Sequence, residues 1–411
     1  MKFECIANRR RIPRRRTVQY LFLSLTLVFT GSVSAQDWNF DPVIRVAAEV
    51  DDNAELSVRT DNEVDLRGAL IEGSADIGYS SQTTDFDITP RILIRSYSDN
   101  PELESDDIFV RSSLRHRMRS SNIGLRVHYD QQTVRTAERA ESDFDIEDAD
   151  EISEGDSGRV AVRGNRDRWR ITPSWGYRFS PTNSVAADVN HYDVNYDDVF
   201  LNLLTDYTDT RGNFFFRHGF SNVNTGVIQL TGRTYDSADA NSTVSGYGAQ
   251  VGVERDLSQT TRLRAMVGFE TTEGDLDSAD GTQPVGNITL TRNLQTIRIL
   301  ATYRRSINAT GAGRLSSRDS LSLNFNRQLN NKISAGIGVR AYQSRGLDDS
   351  LLIDDRDYIQ LRSRFVWNLS QQFSLEFDYR YTMLNRVELG ERANSNAILV
   401  WFSYQPTRVI D

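Results

Sequence analysis

The chain of 411 residues has almost no cysteine, almost no lysine and no long apolar run. Its one cysteine, Cys5, lies among the first 35 residues, so the rest carries no disulfide, no thiolate nucleophile and no cysteine-ligated zinc. Beyond residue 35 the only lysine is Lys332. The longest apolar run, Tyr20–Phe29, is half of the roughly 20 residues a membrane helix needs, which excludes a bundle of transmembrane helices. Disorder is excluded too, because 10% of the residues are aromatic. The net charge is −9, and seven bases with one acid fall in the first 35 residues, leaving 41 bases against 56 acids beyond them. A surface of that sign argues against nucleic acid as a partner.

What is present begins with an export signal. Residues 1–16 are basic, Tyr20–Phe29 is apolar, and Val33-Ser34-Ala35 supplies the small residues of a cleavage site. We therefore expect a signal peptide over 1–35, cleaved after Ala35, and one domain over 36–411.

That domain alternates with period two throughout. Trp169, Ile171, Trp175, Tyr177 and Phe179 interleave with Arg168, Arg170, Ser174, Gly176 and Arg178; Phe373, Leu375, Phe377 and Tyr379 interleave with Ser374, Glu376, Asp378 and Arg380. Side chains alternate across a strand, so each stretch has one apolar and one polar wall. The pattern predicts strands at 43–50, 67–80, 86–97, 107–118, 122–130, 167–179, 184–194, 207–220, 224–235, 243–255, 261–271, 284–292, 295–305, 318–328, 332–342, 356–368, 372–382 and 395–404. Most are longer than the roughly 5–6 residues of a soluble strand and match a tilted membrane strand. Short turns alternate strictly with long connections, as between the periplasmic and outer ends of an outer-membrane barrel. The expected fold is all-β: a single transmembrane antiparallel β-barrel of 18 strands, or 16 if the first or last fails to pair.

Aromatic residues agree with this placement. Tyr79, Phe86, Phe179, Phe220, Trp367 and Phe373 lie on the apolar wall beside short turns, where a periplasmic girdle is expected. The final strand, Ile398–Tyr404, resembles the aromatic-ended signal read by barrel assembly machinery, with Trp401 in the opposite phase to Phe402 and Tyr404.

Function is sought on the polar wall. Parity turns twenty-one arginines inward; Arg91, Arg95, Arg111, Arg115, Arg117, Arg168, Arg170, Arg178, Arg298, Arg362, Arg364 and Arg380 form the expected basic lining, against eight inward acids (Glu49, Glu72, Asp76, Asp87, Asp188, Glu270, Glu376 and Asp378). A charge facing lipid costs about 2–4 kcal/mol at midplane, so strand arginines must point in, but the excess over acids is not forced by that. Guanidinium groups bind carboxylate or phosphate with paired hydrogen bonds, so the lumen should favour anions. Arg–acid ladders that merely brace the wall are the competing reading. Parity also puts Tyr97, Phe109, Tyr192, Tyr235, Tyr342 and Tyr358 inward at the outer mouth, where a ring of aromatic faces could stack sugars; a bulge would instead turn some of them to lipid.

The outer connections are acidic, densest at Glu141–Asp156, where Glu147-Asp148-Ala149-Asp150-Glu151 lacks the glycine and spacing of an EF-hand. No metal or cofactor is expected. Of the four histidines, His116 and His218 face lipid, His128 faces in beside Asp130, and His191 lies at an outer rim beside Asp193. None sits with a nucleophile in a pattern that points to catalysis, so no enzyme is expected.

The opening of the exported chain, Phe40-Asp41-Pro42-Val43-Ile44-Arg45-Val46 through Asp51-Asp52-Asn53, resembles that of a family of outer-membrane β-barrel porins associated with exopolysaccharide synthesis and export systems. The resemblance implies a conduit for an anionic exopolysaccharide, with outer-membrane lipid around it and a periplasmic polysaccharide-export protein as partner. A general anion-preferring diffusion porin, or a surface structural or adhesive barrel with a blocked pore, are the alternatives.

Overall fold

A computed structural model describes residues 38–59, 62–139, 164–197, 204–238, 242–274, 280–347, 355–387 and 390–406. The leader expected over 1–35 and the acidic stretch Glu141–Asp156 lie outside the described residues.

Eighteen strands follow one another: β1 (Trp38–Asp51), β2 (Leu66–Ser80), β3 (Thr84–Tyr97), β4 (Ser105–Arg117), β5 (Ser121–Thr133), β6 (Asn165–Arg178), β7 (Asn183–Asp197), β8 (Tyr207–Gly219), β9 (Asn224–Ser237), β10 (Ser242–Ser258), β11 (Thr261–Gly274), β12 (Gly281–Asn293), β13 (Ile297–Thr310), β14 (Arg314–Asn330), β15 (Ile333–Gly346), β16 (Arg356–Asn368), β17 (Phe373–Arg386) and β18 (Glu391–Tyr404). Each pairs antiparallel with its neighbours in sequence, and β1 pairs with β18 from Ile44↔Tyr404 to Asp51↔Ala397, which closes the barrel. Both terminal strands pair, so the count is eighteen rather than sixteen. One helical turn, α1 (Val134–Glu138), follows β5 and is capped by the Thr133 side chain accepting from the Thr136 N–H.

The outside is a belt of exposed aliphatic side chains: Val267 is 65% exposed, Val251 57% and Ile44 56%. A water-soluble sheet does not leave large apolar side chains so bare on every strand, whereas lipid covers them. Phe179, Phe220, Trp367 and Phe373 stand exposed at the short-turn end, as expected of a girdle, and Phe373 stacks with Phe402 at 5.6 Å. The phase of Trp401 is settled: it is buried on the inner side under the Arg45 guanidinium, 4.4 Å from the ring centroid, while Phe402 and Tyr404 face out.

At the long-loop end the wall departs from a simple cylinder. The stretch 306–317, expected as an outer loop, is strand except for a turn at 311–313. Pairing of β12 with β13 ends at Gly286↔Arg305, yet β13 and β14 stay paired up to Thr310↔Arg314. This hairpin leaves the wall and bends into the lumen. Ile307 is buried among Val194, Tyr207, Tyr235, Val244 and Val285, side chains of β7 to β12. The Thr205 N–H donates to the Gly311 carbonyl at 2.8 Å, and Gly313 adopts φ +79°, the left-handed turn geometry that glycine supplies without strain.

A second segment crosses from the other side. Arg139, just past α1, pairs with Asp51 of β1 and donates to the Asn53 carbonyl at 2.7 Å. Its own carbonyl accepts from the Tyr358 hydroxyl at 3.2 Å and the Gln360 amide at 3.1 Å, both on β16. Going round the wall from β5 to β16 takes seven steps, so the segment reaches these partners through the lumen. A third inward contact is Leu56, after β1, buried against Tyr342, Tyr358, Leu384 and Ala393.

Candidate functional site

The inner wall is positioned by strand parity, and all twelve arginines of the expected lining lie on the inward phase. Their partners divide them into sectors.

From β16 round to β3, arginines are braced by carboxylates. Arg45 on β1 donates to Glu376 at 2.7 Å and to Glu72 at 3.2 Å; Arg364 reaches Glu376 at 2.9 Å, and Arg91 approaches Glu72 at 3.9 Å. Arg362 donates from Nε to Asp378 at 2.7 Å, and Arg380 reaches Glu49 at 3.3 Å. Two of these bonds span β18 to join β17 with β1: Arg380 reaches Glu49 past the small inward side chain of Ala397, and Arg45 reaches Glu376 over the ring of Trp401. Arg95 is paired with Asp107 inside this network, both buried.

The inner wall carries more acids than the eight expected. Asp51, Asp107, Asp130, Asp209 and Glu254 also face inward, each paired with at least one arginine. The excess of base over acid is therefore smaller than parity counting at the strand centres suggests, because acids collect at strand ends. In this sector the inward arginines and acids pair off with one another.

The strip β4 to β6 differs. Cross-strand register aligns Thr89, Arg111, His128, Arg170 and Tyr192 in one row, with Ser113, Arg126 and Thr172 in the next. Neither Arg111, Arg126, Arg170, Arg115 nor Arg178 has a carboxylate within ion-pair distance among the described residues. Arg170 donates only to Asn190 Oδ1, at 3.4 Å, and lies 5.3 Å from the centroid of Tyr192. The one acid on β5, Asp130, is already taken by Arg166 at 3.0 Å and Arg168 at 2.8 Å. Arg117, at the short-turn end, pairs with Asp85. Arg298 lies inward on β13, outside both sectors.

The expected aromatic ring is inward but not free. Tyr97, Tyr235, Tyr342 and Tyr358 are each at most 3% exposed, and only Phe109 and Tyr192 are half-buried. The Tyr97 hydroxyl donates to Glu49 at 2.8 Å, that of Tyr235 to the Thr310 carbonyl at 3.2 Å, and Tyr342 and Tyr358 stack at 4.9 Å. Arg318 caps Tyr342 at 4.7 Å, and Phe109 lies under Arg91 at 4.2 Å. No bulge turned these rings to lipid. Their faces are occupied by the segments that fold inward, so they anchor those segments instead of offering a sliding surface for sugar. Parity could not reveal this, because the covering residues come from distant loops.

The histidines hold no catalytic arrangement. His116 and His218 bond Thr84 and Asn183 on the outer face, and His191 bonds Thr210. His128 stands inward amid arginines, away from Asp130's occupied oxygens. No group of three potential metal ligands occurs among the described residues. Arg139 and Ile307 are the structural residues that pattern reading missed; the only local signal was the Gly311-Ala312-Gly313 turn.

No protein-family model matches the chain, and no curated protein matches it. Among solved structures it overlays on the outer-membrane channel DcaP of Acinetobacter baumannii (12% identity, 90% of this chain and 97% of that one, TM-score 0.43). It also overlays on OccAB4 of the same organism (9%, 90% and 99%, 0.46) and on the outer membrane protein OpdK of Pseudomonas aeruginosa (10%, 90% and 99%, 0.44). Overlays this loose leave the function to be read from the chain's own side chains. Those define an outer-membrane-type β-barrel with a charged, partly obstructed lumen.

Proposed function

We propose that the protein is a channel for small anionic solutes across an outer membrane. The observation that carries this reading is the β4–β6 strip, where Arg111, Arg126 and Arg170 face the lumen with no carboxylate opposite them among the described residues. Fixed positive charge on a low-dielectric wall raises the local concentration of anions and lowers that of cations. Export of an exopolysaccharide fits less well. A continuous polymer would have to thread past the β13–β14 hairpin and the Arg139 segment, both held across the lumen by buried contacts. The buried tyrosines offer it no stacking faces.

The test is reversal potential in a planar bilayer under a KCl gradient. The expected result is anion selectivity that falls when Arg111, Arg126 and Arg170 are replaced by Gln. Cation selectivity of the native channel would overturn the reading, and absence of conductance would support a structural barrel with a closed pore.

A further inference from the structure

The unbraced strip has a specific shape. His128 sits directly opposite Arg111 on one side and Arg170 on the other. Adjacent strands lie about 4.8 Å apart, so the backbones of the two arginines are about 10 Å apart, within reach of one small ligand between their long side chains. Arg126, two residues before His128 on the same strand and the same face, comes to the diagonal position between them, with Ser113 and Thr172 as its direct cross-strand neighbours. Arg111 is exposed to the lumen, and Arg126, His128 and Arg170 are half-buried. Arg170 is steadied from behind by Tyr192 and Asn190.

Three like charges gathered round one point repel each other. Elsewhere in the barrel the same problem is solved with Glu376, Glu72 or Asp378, and here no acid takes that place among the described residues. A halide or a monocarboxylate would neutralise only one of the three. A dianion with several acceptor oxygens can accept from all three forks at once, and guanidinium geometry matches phosphate with paired hydrogen bonds. The flanking hydroxyls of Thr89, Ser113 and Thr172 already donate to Asp76, Asp87 and Asn190, so the guanidinium groups alone are left to hold an anion there. In the counterpart sector from β8 to β12 the inward arginines Arg211, Arg217, Arg233, Arg262 and Arg264 are each paired with a carboxylate, beside amides and hydroxyls such as Asn213, Gln229 and Asn287, so that side offers no second unpaired basic cluster.

We propose that Arg111, Arg126 and Arg170, grouped about His128, form a lumenal subsite for phosphate groups, so that the channel passes phosphate or phosphate monoesters in preference to monocarboxylates. The proposal rests on the anion-channel reading and deepens it.

The test uses the full-length barrel in a planar bilayer with KCl on both sides. Inorganic phosphate, glucose 6-phosphate and acetate are added in turn at pH 7.5, and the concentration that halves the chloride current is read. Inorganic phosphate is expected to act at a concentration at least about tenfold lower than acetate. Each single Arg→Gln change at 111, 126 or 170 should raise that concentration by about tenfold, the size of one charge-assisted hydrogen bond. Arg170→Lys, which keeps charge but loses the fork, should fall between the native protein and Arg170→Gln. A half-blocking concentration for glucose 6-phosphate as low as that of inorganic phosphate would show that the site serves esters as well, and a much higher one that it serves free phosphate; either supports a phosphate subsite. Equal effects of phosphate and acetate, or a phosphate effect that survives all three Gln changes, would overturn it. The anion-channel reading fails separately, by reversal potential in KCl alone. Heat-modifiable gel mobility shows whether each variant is folded, and the three single variants keep the test decisive if the triple one does not assemble.

Discussion

Arg45, Arg362, Arg364 and Arg380, between β16 and β1, face the lumen with carboxylates beside them, whereas Arg111, Arg126 and Arg170, on β4 to β6, face it without. In the first sector Glu376 is buried and receives two guanidinium groups, from β1 and β16, and Glu49 receives Arg380 across β18. In the second, the residues opposite Arg111, Arg126 and Arg170 are histidine, serine, threonine and tyrosine. The location of the difference is instructive. The braced sector contains the β1–β18 seam, where residues over 330 positions apart in sequence must be brought together to close the barrel. Ion pairs with a defined donor geometry add registry there that lipid-facing aliphatic contacts cannot. The unbraced strip lies between strands joined consecutively in the chain and is free to carry charge for a solute.

The largest effect is expected at the buried ion pair of Arg139 and Asp51. Arg139→Ala strands a carboxylate that is 2% exposed, and breaking such a pair costs about 3–5 kcal/mol. Because the pair ties the α1 segment across the lumen, we expect this loss to appear as local opening: higher single-channel conductance and faster proteolysis after α1, with the barrel intact on a gel. Unchanged conductance would show that the segment does not obstruct the path.

At the seam, Glu376→Ala leaves Arg45 and Arg364 without their shared partner. Both guanidinium side chains keep some exposure to the lumen, so the expected cost is smaller, about 2–3 kcal/mol, read as a lower urea midpoint in detergent. The double variant Glu376→Ala with Arg364→Ala should recover part of that loss; strict additivity would mean that the two do not act as a pair.

A third variant, Tyr235→Phe, removes only the hydroxyl that donates to Thr310. About 1 kcal/mol is expected from the hairpin's hold, seen as increased hydrogen exchange at 307–311 with no change in global stability. The smallest effect on folding belongs to the unbraced strip: Arg115→Gln should change stability by no more than about 0.5 kcal/mol, since no partner is left stranded, while shifting the reversal potential toward zero. A large destabilisation there would show that this strip, too, is a brace.

Much of the barrel is legible in the order of residues alone. Strand 356–368 coincides with its pattern-based bounds, and the lipid-facing phase of Trp169, Ile171 and Trp175 follows from alternation alone. Alternation is a local property, set by the pleat, so each strand announces its own two faces. The inward direction of the arginines was readable for the same reason, and because lipid forbids the other choice. Pairing was not readable. Arg45 meets Glu376, and Arg139 meets Asp51, through contacts between distant parts of the chain that no local period encodes. The tyrosines at the mouth show this limit most clearly: their inward phase follows from alternation, and their burial under distant segments does not.

By itself, then, the order of residues determined the facing of the strands, the aromatic girdle and the presence of arginine in the lumen, since each follows from period-two geometry and the cost of charge in lipid, while pairing of β1 with β18 fixed the count at eighteen. Only the tertiary structure decided which arginines are neutralised and which stay open, and that the 306–317 hairpin and the Arg139 segment cross the lumen. Those outcomes depend on how strands far apart in the chain are placed round a closed wall, where a single register shift would change every partner.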